Sequence, residues 1–274
     1  MPPDGNEPPA SSEKALARMP NPARDATFQA RRKVLQALAR KRGSKVITIV
    51  HSKMVFGEES YEELGPEETE HILTRIHETD PHQPIDLILH TPGGMALAAE
   101  MIAMALQNHR AKVTVLVPFY AMSGGTLIAL AADQILMEPY SVLGPVDPQI
   151  GGWPASVLLK VVRRKGVQFS QDDTIMYSYL AGMAVDQMKK FVMVLLKENK
   201  NMTKKEAGKV ADFLISGYVT HDTPINYEAA KVLKLPVKLG VPNEVYHFFD
   251  TCAFGVCIRP MLVDYGKASR LKHE

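Results

Sequence analysis

The sequence predicts an α/β domain with a parallel sheet and flanking helices, and three observations carry that prediction. Short aliphatic or β-branched runs alternate with helical patterns along most of the chain. The connections between them are short, as crossovers in a parallel sheet are. Two of those connections are glycine turns that pass directly from a strand into a helix.

Taken in order, residues 1–22 are rich in Pro, Asn and charge, lack apolar periodicity, and are expected to form a mobile tail. A domain is expected over 23–245 and a C-terminal extension over 246–274. Residues 23–42 read as a polar helix, with Arg31, Arg32, Lys33, Arg40, Lys41 and Arg42 on a solvated face. Gly43 breaks it before the strand 45–50. Gly65-Pro66 opens a helix to His77, with Glu67 and Glu68 in its first turn and Ile72, Leu73 and Ile76 on one face. The strand 85–90 runs into Thr91-Pro92-Gly93-Gly94 and a helix over 95–107. The strand 112–117 then leads through Tyr120-Ala121-Met122-Ser123-Gly124-Gly125 to a short helix over 126–132 and a strand over 134–137. Residues 139–154 read as a Gly/Pro loop. Helical patterns follow over 156–165, about 186–199, 203–214 and 227–233, with Thr203 and Glu206 spaced as a capping box. The apolar stripe Val185, Met188, Val192, Leu195 and Leu196 reads as core.

Composition narrows the function. A chain of 274 residues, 46% hydrophobic and 23% charged, can bury a full core. A net charge of +2 offers no electrostatic case for nucleic acid. No apolar run nears the roughly 18 residues that mark a membrane span, and Pro2, Pro3 and Asp4 interrupt any leader core, so cytoplasmic residence is expected. Cys252 and Cys257 are too few for a disulfide framework and lack zinc-site spacing; they read as reduced thiols, and no metal or cofactor is expected. No Walker-type loop is present, so no bound nucleotide is expected.

The glycine turns carry the chemistry. Attack on an acyl carbonyl requires an exposed nucleophile, a base, and donors aimed at the oxygen that becomes negative. Ala121-Met122-Ser123-Gly124-Gly125 has nearly the form of a nucleophile elbow, a serine on a sharp strand-to-helix turn. Alone, such a serine can equally be a helix cap. The paired glycines Gly93-Gly94 let backbone N–H groups approach a ligand, at the carboxyl end of a strand where open α/β sheets bind ligands. One helix and one strand separate the two turns, so they are expected to converge at one sheet edge.

The order strand, Thr-Pro-Gly-Gly, helix, strand, Met-Ser-Gly-Gly-Thr, helix resembles the core of the Clp-type serine proteases and signal peptide peptidases, and within that ClpP/crotonase-like superfamily the serine dehydrogenase proteinase group. The likeness runs from about Lys45 to Val241. It implies a crotonase-like ββα spiral and a serine peptidase that forms an acyl-enzyme on Ser123, with an oxyanion hole from Gly124 and the Gly93-Gly94 pair. The Clp order, with histidine soon after the serine, does not transfer, because there is no histidine between His109 and His221. The Ser, Asp, His order of the matched group falls on Ser123, Asp147 in Leu143-Gly144-Pro145-Val146-Asp147-Pro148-Gln149, and His221 in Ser216-Gly217-Tyr218-Val219-Thr220-His221-Asp222.

Alternatives stay open at this level. Asp222 competes for the acidic role. A serine–lysine dyad of signal-peptide-peptidase type would use Lys160, with Lys165 nearby, and would need a buried ammonium. A crotonase-type enzyme would aim the same donors at an acyl-thioester enolate, and an inactive scaffold would only bind peptides in the groove. The resemblance further implies a homo-oligomer, polypeptide substrates that include membrane-derived ones, and membrane association, although this chain lacks the N-terminal hydrophobic segment common in the group.

Overall fold

The computed structural model describes residues 21–51, 63–197, 202–215, 217 and 219–251. Most of the expected tail (1–20), Ser216, Tyr218, Cys252 and Cys257 lie outside the described residues. The centre is a parallel five-stranded sheet in the order β1-β2-β3-β5-β10. Its strands are β1 (Lys45–Val50), β2 (Ile85–His90), β3 (Val113–Val117), β5 (Gln134–Met137) and β10 (Val237–Leu239). Register runs Ile47 opposite Leu87, Leu87 opposite Val115, and Val115 opposite Ile135.

Every residue of β2 and β3 is buried, as expected for central parallel strands covered on both faces. Alternation divides them between two cores. Leu87, Leu89, Val115, Val117, Ile135 and Met137 face one side. There they pack with α2 (Pro66–His77), α3 (Ala96–Gln107), α4 (Gly124–Leu130), α6 (Asp172–Lys197) and α7 (Lys204–Ile215). Ile88, Leu116 and Leu136 face the other side, against Leu38 of α1 (Asn21–Arg42) and Val245 and Phe248 of α9 (Asn243–Asp250). Helix α9 therefore crosses the expected boundary at 245/246 and closes the second core with α1.

A charge inside β2 looks out of place in a buried strand. Asp86 is 2% exposed, and it is held by the Arg42 guanidinium, with Nη2 donating to Oδ1 at 2.9 Å, and by the Ser44 hydroxyl. Arg42 is thus an ion-pair partner rather than part of a solvated face. Removing one partner strands the other charge, so Arg42→Ala is expected to lower stability by about 3 kcal/mol, read from the urea midpoint.

The expected 139–154 loop is more ordered than the sequence indicates. It contains β6 (Val142–Leu143) and the β7–β8 hairpin (Gln149–Ile150, Trp153–Pro154). Helix α5 (Ala155–Lys165) follows. Helix α6 then begins at Asp172, about four turns before the expected 186. Of the expected core stripe, Met188, Val192, Leu195 and Leu196 are buried, and Val185 is half-buried against the same core. Thr203 and Glu206 form the capping box, the Thr203 N–H donating to Glu206 Oε2 at 2.8 Å and the Glu206 N–H to Thr203 Oγ1 at 3.3 Å. A short helix α8 (Tyr227–Val232) precedes β10.

Candidate active site

A second, three-stranded sheet organises the site. Its order is β4 (Tyr120–Ala121), β6, β9 (Ile225–Asn226), with β4 parallel to β6 and β6 antiparallel to β9. Ser123 lies just beyond the carboxyl end of β4, Asp147 beyond the carboxyl end of β6, and His221 just before the amino end of β9. Those directions bring all three to one edge of the same small sheet. The three residues line one cavity of about 580 Å³, together with Gly94 and Gly124.

Ser123 sits at φ 49 and ψ −116, a left-handed backbone that costs a non-glycine residue on the order of 1–3 kcal/mol. Helix α4 begins at Gly124, two residues before the expected start, which makes Ser123 the residue that caps it. Its hydroxyl makes no capping bond. Among the described residues no hydrogen bond reaches Ser123 Oγ, and the side chain lines the cavity. The turn is locked from behind: Thr126 Oγ1 donates to Ala121 O at 2.8 Å and accepts the Gly144 N–H at 2.9 Å. That second bond ties the serine turn to the loop carrying Asp147.

The two glycine turns are side by side, as expected. Thr91 bridges Ala121, its N–H donating to Tyr120 O and its carbonyl accepting the Met122 N–H. Gly93 and Gly94 have φ of 116 and 142, and a Cβ at Gly93 would stand 2.8 Å from Ser123 Cβ. The three expected donors are not equivalent. The Gly93 N–H is already given to Thr91 Oγ1 at 3.0 Å. Among the described residues the N–H groups of Gly94 and Gly124 have no partner, and Gly94 N lies 3.7 Å from the position of a Cβ on Gly124. The available pair is therefore Gly94 and Gly124; Gly93 is a spacer, because its amide faces its own turn.

The acid and the imidazole are joined. His221 Nδ1 donates to Asp147 Oδ1 at 2.8 Å, leaving Nε2 with the lone pair. Asp147 is buried, with a side chain 2% exposed, whereas that of His221 is 30% exposed. The hydrogen bond to Asp147 raises the His221 pKa above its ordinary 6.5, burial opposes this, and the charges of Asp147 and Asp222 add to the rise. Asp222 thus acts on the ring through its field. Gln149 is a member of the site that the sequence reading leaves without a role: its Nε2 donates to Asp147 Oδ2 at 2.9 Å. A polar residue two positions after the candidate acid was the available signal.

Lys160 does not fit as the alternative base. Its side chain is exposed, its ammonium donates to Gly217 O at 3.1 Å, and it does not line the cavity. Lys165 is exposed as well. Neither ammonium has the burial that a serine–lysine dyad requires.

The family model described as ClpP-like SDH-type serine proteinase matches residues 15–270, and the chain belongs to that family. Two relatives from Methanocaldococcus jannaschii, both uncharacterized proteins, extend across most of the chain. One is 46% identical over 224 residues, covering 81% of this chain and 78% of the relative. The other is 44% identical over 223 residues, covering 80% and 75%. Two structures of variants of the membrane-bound stomatin-specific protease 1510-N align at TM-scores of 0.46 and 0.45, with 20% and 22% identity. They cover 74% and 73% of this chain and 82% and 76% of theirs, and the second is a complex with a substrate peptide.

Proposed function

We propose that the chain is a serine endopeptidase that cleaves polypeptides through an acyl-enzyme on Ser123. The observation that carries this reading is the convergence of a strained, uncapped serine, two free backbone donors and a carboxylate-bound imidazole on one cavity. In the proposed cycle His221 Nε2 takes the Ser123 proton as Oγ attacks the scissile carbonyl. The oxyanion is received by the N–H groups of Gly94 and Gly124. His221 then gives the proton to the leaving amine, and water repeats the sequence to release the acid. Asp147 holds the tautomer and stabilises the imidazolium. The Ser123–His221 hydrogen bond forms as substrate enters, as such bonds often tighten only in the Michaelis complex.

Unfolded and membrane-derived polypeptides are the proposed substrates. Among the described residues no helix is long and apolar enough to cross a membrane. A homo-oligomer is proposed as well: Met176, Tyr179, Leu180 and Met183 on the first half of α6 are exposed large apolar residues, which second copies would cover.

The test is reaction with a fluorophosphonate probe followed by peptide mapping, alongside digestion of fluorescein-labelled casein. The expected result is a single adduct on Ser123 and loss of casein cleavage in step with labelling. A crotonase-type thioester enzyme or a peptide-binding scaffold would leave Ser123 unmodified, and that result would refute the proposal.

A further inference from the structure

We infer that the buried hydroxyl of Thr91, backed by His51, is a positioning group that aims the Gly94 donor; the inference rests on the proposed role of that donor and adds a device that sets its direction. A closed circuit of contacts surrounds the Gly93–Gly94 peptide. The Gly93 carbonyl accepts the Leu64 N–H at 2.7 Å, and Leu64 O accepts the Met95 N–H at 2.9 Å. In a trans peptide the carbonyl and the following N–H point in opposite directions. Fixing Gly93 O against Leu64 therefore turns the Gly94 N–H away from Leu64, on the side where Gly94 lines the cavity.

The other half of the circuit runs through side chains. The Gly93 N–H donates to Thr91 Oγ1 at 3.0 Å, and His51 Nδ1 stands 2.7 Å from the same oxygen. His51 Nε2 faces Glu68 Oε1 at 3.5 Å, and Glu68 Oε2 accepts the Gly65 N–H at 2.8 Å, next to Leu64. The Thr91 oxygen accepts the Gly93 N–H, and its hydroxyl stands within hydrogen-bond reach of both His51 Nδ1 at 2.7 Å and Gly93 O at 3.3 Å. Thr91 is fully buried and His51 is 4% exposed, so water cannot replace these partners cheaply. The hydroxyl fixes one end of the Gly93–Gly94 turn and Leu64 fixes the other. Both ends are needed because paired glycines impose almost no conformation of their own.

The Thr91 methyl has a separate task. It fills the space at Gly125, where a Cβ would meet it at 2.5 Å. Thr91→Val keeps that methyl and the side-chain shape but removes the hydroxyl. Thr91→Ser keeps the hydroxyl and removes the methyl. The pair separates positioning from packing.

The experiment uses saturation kinetics of fluorophosphonate labelling on the full chain, which need no known substrate. T91V is expected to lower kinact by about 10- to 100-fold, a part of the 10²–10³ that loss of a whole donor costs, with KI within about twofold of the parent. T91S is expected to recover most of kinact, even at a lower Tm. Parent-like kinact in folded T91V overturns the inference, as does a T91S as slow as T91V, which would make the role one of packing. Should T91V not fold, His51→Phe is read the same way. A lowered kinact at unchanged KI supports the inference; a parent-like kinact, or an unfolded H51F, overturns it. A parent that is not labelled on Ser123 defeats the proposed function itself, whereas a labelled parent with an equally reactive T91V defeats only this positioning role.

Discussion

Ser123→Ala is expected to reduce casein cleavage by about 10⁴- to 10⁶-fold, to abolish fluorophosphonate labelling, and to leave the fold intact. Oγ is the only atom removed, and it makes no hydrogen bond among the described residues. The change therefore strands no buried partner, and the Tm should move little. A small loss from placing alanine at φ 49 is already present with serine, because either residue bears a Cβ. The residual rate is informative. The proposed donors at Gly94 and Gly124 remain in place, and an oxyanion hole preserved with intact binding retains on the order of 10³–10⁴ over the uncatalysed reaction. Equal turnover in S123A and the parent would rule out a serine mechanism.

How much of this was readable in the amino-acid order depends on which forces placed each residue. The central sheet was legible because β1, β2, β3 and β5 are short aliphatic runs, and burial on both faces leaves little else for such runs to be. The serine turn and Gly93-Gly94 were legible because two closely packed turns at positive φ demand small residues in consecutive positions. The Ser, Asp and His positions came from family resemblance, since nothing local marks Asp147 or His221. Their meeting depends on β6 pairing with β9, two-residue strands separated by 81 positions in the chain, too short to carry periodicity.

Other features escaped for definite reasons. The sequence places the start of helix α6 near 186 because its first half lacks a polar face: Met176, Tyr179, Leu180 and Met183 are exposed apolar residues, so the alternation that signals an amphipathic helix is missing. The 139–154 segment read as a loop because Gly and Pro punctuate it, yet its strands are held by register with β4, β9 and each other. Lys160 looked plausible among Leu158, Leu159, Val161 and Val162, but sequence neighbours do not bury a side chain when the helix turns it outward. Gly93 and Gly94 looked interchangeable as donors; only the Thr91 hydroxyl distinguishes them.

His221→Ala is expected to cost as much as S123A, about 10⁴- to 10⁶-fold, and the double variant should be no slower than either single one, because in the proposed mechanism the two groups act as a unit. The pH profile identifies the group more sharply. His221 must be neutral at Nε2 to accept the Ser123 proton, so turnover in the parent is expected to rise with pH through a His221 pKa held above the ordinary 6.5 by the hydrogen bond to Asp147. Asp147→Asn removes that cause of the raised value. The rise should then move to lower pH while the plateau falls by about 10⁴-fold, since an amide neither stabilises the imidazolium nor holds the productive tautomer. Linkage gives the matching stability effect. A histidine whose folded pKa is raised contributes stability that is fully present below 6.5 and is lost as pH rises through the folded value, and D147N should shrink that dependence to the part set by the charge of Asp222. The measurement is casein cleavage from pH 5 to 9, with thermal unfolding over the same range, for the parent, D147N and H221A. A parent profile that rises only well above pH 8 would rule out His221 as the base. A D147N rise unmoved from that of the parent would show that Asp147 does not govern His221.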